Sequence, residues 1–95
     1  MKQLTGMRPS VRYSIQIKKS ALKELRKLPQ SDRPRLIAAI DQLAEQPHTG
    51  KLLKGDLSGL RRLRVGNYRI IYEVDEGKVL VLILRVAHRK SSYRK

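Results

Sequence analysis

The spacing of apolar residues on either side of Gly66 and Asn67 constrains the fold of this chain more than any other feature. Large apolar residues occupy every second position in segments 62–65 and 68–74, a period that is typical of β-strands with one buried face. A two-residue loop of glycine and asparagine suits a primed hairpin turn, because both residue types tolerate positive φ. The sequence therefore predicts a tight β-hairpin with its turn at these two residues.

The predicted pairing of this hairpin collects arginines on one of its faces. Arg64 lies opposite Arg69, and Arg62 shares their face because side chains alternate along a strand. The other face then carries the predicted core residues Leu63, Val65, Tyr68, Ile70, Tyr72 and Val74. Like charges directly opposite each other cost roughly a few tenths of a kcal/mol, so folding alone does not favour this cluster. A single arginine on a strand face usually serves solubility, whereas three together favour a polyanionic ligand.

The charge of the whole chain points to the same class of ligand. Its 95 residues carry a formal net charge of +14, an excess that attracts nucleic acid through the release of counterions. No apolar run approaches the roughly 20 residues of a membrane span, and no apolar stretch follows Lys2, so the sequence shows no signal peptide and predicts a cytoplasmic protein. Without cysteines, and without metal-ligand spacing of its two histidines, the chain is expected to hold no disulfide, metal or other cofactor.

Three segments before the hairpin have clear periodicity. Alternation in residues 13–17 indicates a first strand, and apolar residues at helical spacing in 21–28 and 36–44 indicate two helices. Ser20 and Ser31 precede these helical stretches and are the expected N-caps. The three segments predict a strand followed by a helical hairpin.

Together these elements predict an α+β fold. It is a small two-layer domain in which the N-terminal strand and the helical hairpin pack on a mostly antiparallel four-stranded sheet, in the order β-α-α-β-β-β. The face of the sheet away from the helices is then open. Residues 1–11 are expected to form a flexible basic leader, and residues 12–95 to form the single domain.

The orientation of Arg85 depends on the turn at residues 75–77. Residues 79–86 are otherwise apolar, as in a central strand that is covered on both faces. A three-residue loop places Arg85 on the same face as the other arginines, whereas a two-residue loop buries it with Tyr68. We favour the first alternative, because an unpaired buried arginine is expensive.

Several segments of the chain resemble the RelE/ParE toxin superfamily. They are the helix 21–28 (ALKELRKL), the loop 51–55 (KLLKG), the hairpin 64–72 (RVGNYRIIY) and the segment 86–93 (VAHRKSSY). With the element order, they extend the resemblance over residues 13–94. A Gly-x-Tyr-Arg hairpin followed by His-Arg-x-x-x-Tyr is fairly specific as a combination. Within the superfamily the chain looks more like the RelE branch, whose toxins cut messenger RNA in the ribosomal A site, than the ParE branch, which inhibits DNA gyrase.

The resemblance implies both an activity and a set of partners. The activity is that of a ribosome-dependent endoribonuclease, a hydrolase that inhibits translation and needs no metal. The implied partners are messenger RNA in the ribosomal A site and a cognate antitoxin, which neutralises the toxin and carries the complex to its operator DNA. No membrane partner is implied.

The resemblance also implies which residues carry the chemistry. Metal-independent cleavage uses the ribose 2′-hydroxyl as nucleophile, so the protein must accept its proton, stabilise the phosphorane and protonate the leaving 5′-oxygen. Arg69 matches an arginine of the family, and its fork can bind two oxygens of the scissile phosphate. The implied catalytic residues are Arg62, Arg69, Arg89 and Tyr93, and the implied RNA-binding residues are Lys51, Lys54, Arg64 and His88.

The strand before the turn departs from the family pattern. Toxins of the RelE branch can show two lysines at alternating positions there, where this chain has Leu60 and Arg62. Arginine cannot act as a general base. Either proton transfer then depends on His88 or on Tyr93, whose pKa nearby guanidinium groups would lower from about 10, or the protein cleaves RNA slowly. Tyr93 could instead stack on a base.

Two other functions stay open at this point. A ParE-like protein would inhibit DNA gyrase without any nuclease activity. A plain nucleic-acid-binding module would use the basic face as a nonspecific track for phosphates. The chain has few aromatic residues and no obvious stacking platform or recognition helix, which disfavours the binding module.

Overall fold

The described part of the chain, residues 11–88 of a computed structural model, consists of five strands, two helices and the turns between them. The strands are β1 (Ser14–Ile17), β2 (Lys51–Leu52), β3 (Arg61–Val65), β4 (Tyr68–Asp75) and β5 (Leu80–His88). The helices are α1 (Lys19–Arg26) and α2 (Arg33–Gln42), and a short 3₁₀ turn covers Gly55–Leu57. Apart from Val11, which is exposed, the predicted leader lies outside the described residues.

The strands form one mixed sheet in the order β1-β5-β4-β3-β2. β1 runs parallel to β5, and the other neighbours are antiparallel. The predicted α+β class and two-layer arrangement are therefore confirmed, but the sheet has five strands and not four. The added strand, β2, contributes only two residues, paired with Arg61 and Arg62, and so short a segment has no readable period.

The predicted helix caps are wrong. α1 begins at Lys19, directly after β1 and the single linking residue Lys18, so Ser20 already lies inside the helix. α2 begins after Asp32, and neither helix has a side-chain hydrogen bond at its N-cap. Pro34 lies in the first turn of α2, where its missing N–H costs nothing. Neither helix is long and apolar enough to cross a membrane.

Both helices pack on one face of the sheet. They contribute the buried residues Ala21, Leu25, Leu36, Ile40 and Leu43. The sheet contributes Tyr68, Ile70, Tyr72, Val81, Ile83 and Val86. The hairpin residues that were predicted to face the core therefore do so, with Leu63, Val65 and Val74 partly buried at its margin. Burial of these apolar side chains is the main favourable contribution to folding.

Tyr72 fixes the loop between α2 and β2. Its side chain is fully buried, its hydroxyl donates to the Pro47 carbonyl at 2.8 Å, and the Gly50 N–H donates to that hydroxyl at 2.8 Å. A Cβ on Gly50 would lie 2.7 Å from the Tyr72 hydroxyl and 2.9 Å from the Arg62 carbonyl oxygen, so only glycine allows this approach. Burial raises the pKa of Tyr72, which keeps the hydroxyl protonated as this hydrogen-bond pattern requires.

We expect Tyr72→Phe to destabilise the protein by about 1–3 kcal/mol, because it leaves the buried Gly50 N–H and Pro47 carbonyl without their partner. Tyr13→Phe is the matched control, since the Tyr13 hydroxyl donates to Glu76 in an exposed setting. Urea unfolding of the purified proteins measures both changes. Equal effects of the two substitutions would contradict the structural role of Tyr72.

Candidate nucleic-acid interface

The hairpin has the predicted register. Val65 pairs with Tyr68, and Arg64 pairs with Arg69. Gly66 has a φ of +59°, whereas Asn67 is not among the described residues with positive φ. Positive φ at only the first turn residue is the requirement of a type II′ turn rather than a type I′ turn. The glycine is therefore the residue that the turn demands.

Basic side chains from four strands share the sheet face that points away from the helices. One cross-strand row runs from Lys51 through Arg62 and Ile71 to Arg85, and the next row runs from Arg64 through Arg69 to Ala87. We call this surface the arginine face, defined by Lys51, Arg62, Arg64, Arg69 and Arg85. The structure thus brings together the predicted residues of β2, β3 and β4 and adds one from β5.

A β-bulge places Arg85 on this face. Asp75 pairs with Leu80 across a four-residue turn, and the buried Tyr72 pairs with Ile83. If the alternation continued unchanged from Ile83, Arg85 would point to the same buried side as Ile83. Ile71 instead pairs with Arg85, so Leu84 is an extra residue on β5 and reverses the alternation beyond it. The favoured orientation of Arg85 is confirmed, but its cause is the bulge and not a three-residue turn.

Glu24 of α1 binds the bulged segment of β5 through both oxygens of its carboxylate. One of its carboxylate oxygens accepts a hydrogen bond from the Val86 N–H at 2.8 Å, and the other lies 3.3 Å from Nε of Arg85. β1 ends before this point, so the carboxylate takes the place of a further strand at the edge of β5. Glu24 therefore links the helix layer to the arginine face.

The residues of the arginine face differ in exposure. Arg64 is exposed and Arg62 is half-buried, whereas Arg69 is only 8% exposed although it points away from the helices. Arg69 borders one cavity of about 130 Å³ with Arg64, Gly66 and Tyr68. Arg69 is thus largely buried in a recess next to the hairpin turn, which favours a defined contact over a general electrostatic one.

The two predicted lysines lie beside β3. Lys51 is directly opposite Arg62, and Lys54 joins them around an open cavity of about 260 Å³ that Leu52 and Leu53 also border. Both lysines are exposed. Together with Arg64 they extend the positive surface along the direction of the hairpin.

Of the three remaining predicted site residues, only His88 is described. His88 pairs with Tyr68 on the helix side of the sheet, and the two rings meet edge to face with centroids 5.3 Å apart. The structure therefore does not bring His88 onto the face that carries Arg69. Arg89 and Tyr93 lie outside the described residues.

The described tyrosines are poorly suited to accept a proton. The hydrogen bond from the Tyr68 hydroxyl to Asp32 at 2.6 Å raises the pKa of Tyr68, and the hydrogen bond to Glu76 raises the pKa of Tyr13. Burial raises the pKa of Tyr72. Each therefore stays a neutral phenol at pH values where a general base must be deprotonated.

Two contributions to the site were not predicted from the sequence. Arg35 of α2 packs over the hairpin turn, where its guanidinium lies 3.1–3.3 Å from the position a Cβ of Gly66 would take. The second contribution is an apolar floor in the cavity that Arg62, Arg69 and Arg85 also line. It is formed by Leu53, Leu57, Ile71 and Ala87. The sequence contains one sign of this apolar floor. Ile71 is apolar, whereas the residues two positions before and after it on the same strand face, Arg69 and Glu73, are charged.

Comparison with known proteins identifies the family. The family model described as the ParE toxin of the type II toxin–antitoxin system parDE matches residues 15–93. Toxin RelG of Mycobacterium tuberculosis is 36% identical over 89 residues, covering 87% of this chain and 98% of that protein.

Solved structures of the same family share the fold. A chain of the toxin–antitoxin complex RelBE2 from M. tuberculosis has a TM-score of 0.70 at 36% identity, covering 83% of this chain and 100% of the matched one. A chain of the intact Escherichia coli RelBE toxin–antitoxin complex has a TM-score of 0.70 at 26% identity. The match covers 80% of this chain and 95% of the matched one.

A two-layer α+β domain with this hairpin and these matches defines a toxin of a type II toxin–antitoxin system, and the chain belongs to the RelE/ParE superfamily. Within that superfamily it is a RelE-type toxin, because the matched relatives and complexes carry that name or its close variants.

Arg64→Gln should weaken binding of single-stranded RNA and lower the slope of log K against log salt by about 0.7, the value for one lost phosphate contact. Lys23→Gln, on the helix layer and equally exposed, is the charge-matched control and should change the slope much less. Fluorescence anisotropy over a salt series measures both slopes. Identical slopes for the two variants would mean that overall charge, and not the arginine face, binds the RNA.

Proposed function

We propose that this protein inhibits translation by cutting messenger RNA on the ribosome without a metal ion, and that the arginine face holds the RNA backbone. The observation that carries the proposal is the register that sets Arg62, Arg64, Arg69 and Arg85 on the sheet face that points away from the helices. Such a cluster is electrostatically unfavourable by itself, and a chain of phosphates relieves the repulsion.

The proposed mechanism assigns the phosphate to the arginines and the proton transfer to another residue. Arg69, held in its recess, binds two non-bridging oxygens of the scissile phosphate and stabilises the charge that grows on them in the phosphorane. Arg62 and Arg89 share that role, and Lys51, Lys54 and Arg64 hold the flanking phosphates. The 2′-oxygen attacks phosphorus, and the bond to the 5′-oxygen breaks as that oxygen gains a proton.

Tyr93 is our candidate for the general base. Arginine cannot accept the proton, and the hydrogen bonds and burial of Tyr13, Tyr68 and Tyr72 raise their pKa values. His88 is the alternative, but its position beside Tyr68 requires the RNA to pass around the end of β5 to reach it. We therefore assign the general base to Tyr93 and propose that His88 only contacts the RNA.

A cognate antitoxin is the proposed protein partner. The matched structures from M. tuberculosis and E. coli are complexes of a RelE-type toxin with its antitoxin. An antitoxin that presents carboxylates would neutralise the net charge of +14 and compete with RNA for the arginine face. In the proposed complex the antitoxin also supplies the contact with operator DNA.

One observation favours a second candidate function. The family model that matches residues 15–93 is named for ParE, so inhibition of DNA gyrase without nuclease activity is the alternative. The 36% identity to a RelE-type toxin over nearly its whole length supports the ribonuclease.

Expression without antitoxin in bacteria tests the proposal. We expect growth arrest with new RNA 5′-hydroxyl ends inside translated frames, and we expect Arg69→Lys or Tyr93→Phe to reduce these ends by at least about a hundred-fold, because a lost transition-state contact costs several kcal/mol. Lys23→Ala is the control with normal cutting.

Each variant is first checked for folding by thermal unfolding of its complex with the antitoxin. Arg69→Lys keeps the charge of the buried side chain and removes only its fork, so it separates catalysis from stability. Arrest with DNA damage and no new RNA ends would instead support the gyrase inhibitor.

A further inference from the structure

An apolar cavity lies in the middle of the arginine face. Its volume is about 180 Å³, and its lining includes the apolar residues Leu53, Leu57, Ile71 and Ala87. Arg62, Arg69 and Arg85 complete the wall. Apolar side chains in a strongly basic surface gain nothing from solvent, so their presence indicates a ligand with an apolar part.

The segment between β2 and β3 is shaped to build one side of this cavity. Gly55 and Gly59 have φ values of +72° and +91°, which let the chain turn back on itself. The Leu53 N–H donates to the Leu60 carbonyl at 2.8 Å and closes the loop. Leu57, about half exposed, is thereby carried to the rim of the cavity above the sheet.

The bulge in β5 builds the opposite side. Because Leu84 is the extra residue, Arg85 and Ala87 both point to the arginine face, and the small side chain of Ala87 leaves the cavity open. Glu24 lies 3.3 Å from Nε of Arg85 and orients its guanidinium at the wall. Among the lining residues that the structure describes, none carries a carboxylate.

The chemistry of the wall selects the occupant. A ligand that fits must combine an apolar part with an adjoining negative charge, because four apolar residues and three arginines line the cavity. Guanidinium planes stack on planar rings as well as binding phosphate. A nucleotide has both features, with its base and its phosphate joined by a single sugar.

We infer that this cavity holds one nucleobase of the bound RNA while Arg62, Arg69 and Arg85 hold the adjoining phosphates. The inference rests on the proposed function and adds a base-binding site to it. The base replaces water over Ile71 and Ala87 and stacks against a guanidinium plane. The cavity then determines which nucleotide lies next to the cleaved bond and gives the toxin a sequence preference of its own.

A binding experiment with abasic RNA tests this inference. Purified toxin is titrated by fluorescence anisotropy with a short 2′-O-methyl RNA, which cannot be cleaved, and with versions that lack one base at each position in turn. Removal of one particular base should weaken binding at least about five-fold, the lower end expected for losing a stacked base. Removal of the other bases should change the affinity less.

Filling the cavity should abolish this difference. Ala87→Leu adds apolar volume without changing charge, and we expect it to lower the affinity of the intact RNA to that of the abasic RNA. Leu57→Ser, at an exposed position that tolerates change, removes part of the wall and should act in the same direction. Ala38→Leu, on the exposed side of α2, makes the same substitution outside the site and is the control.

The possible results distinguish a failure of this inference from a failure of the proposed function. Equal affinities for intact RNA and every abasic RNA would overturn the base site, even if the mapped RNA ends establish the nuclease. A clear abasic effect with no RNA ends in cells would support the base site and overturn the nuclease. If Ala87→Leu weakens only the antitoxin complex, the cavity binds an antitoxin side chain and the inference is wrong.

Discussion

The strict alternation of side chains along β3 and β4 controls both halves of this molecule. The register that buries Tyr68, Ile70 and Tyr72 under the helices also directs Arg64 and Arg69 to the opposite face of the sheet. A slip of one residue would bury the arginines and expose the core, at a cost that no surface interaction could offset. The stability of the core therefore enforces the repulsion among the arginines, and the arginine face forms as part of the fold, without any ligand.

This arrangement gives the site its chemical character. The arginines are supplied by strands and not by flexible loops, so their guanidinium groups need little reorganisation when phosphate binds. The helix layer contributes through Glu24, which satisfies the Val86 N–H and orients Arg85. Removing repulsion, rather than adding attraction alone, favours binding of a polyanion or of an acidic partner.

Local features of the fold could be predicted from the sequence, whereas features that depend on tertiary packing could not. The hairpin and its register follow from a period of two and a glycine turn, and both are confirmed. The bulge at Leu84 has no residue signature, and β2 is too short for a pattern. Ser20 is not an N-cap, because only Lys18 separates β1 from α1 and the helix therefore begins before Ser20. The apolar cavity depends on residues from four separate segments that meet only in the folded chain.

The most direct measurement uses purified components. Ribosomes stalled on a defined message are incubated with the toxin, and the RNA ends are mapped, with gyrase supercoiling measured on the same preparation. We predict cleavage within the A-site codon that leaves a 5′-hydroxyl end. Addition of the antitoxin, or the substitution Arg69→Lys, should abolish this cleavage. Intact messenger RNA together with blocked supercoiling would contradict the central claim that the arginine face serves RNA cleavage.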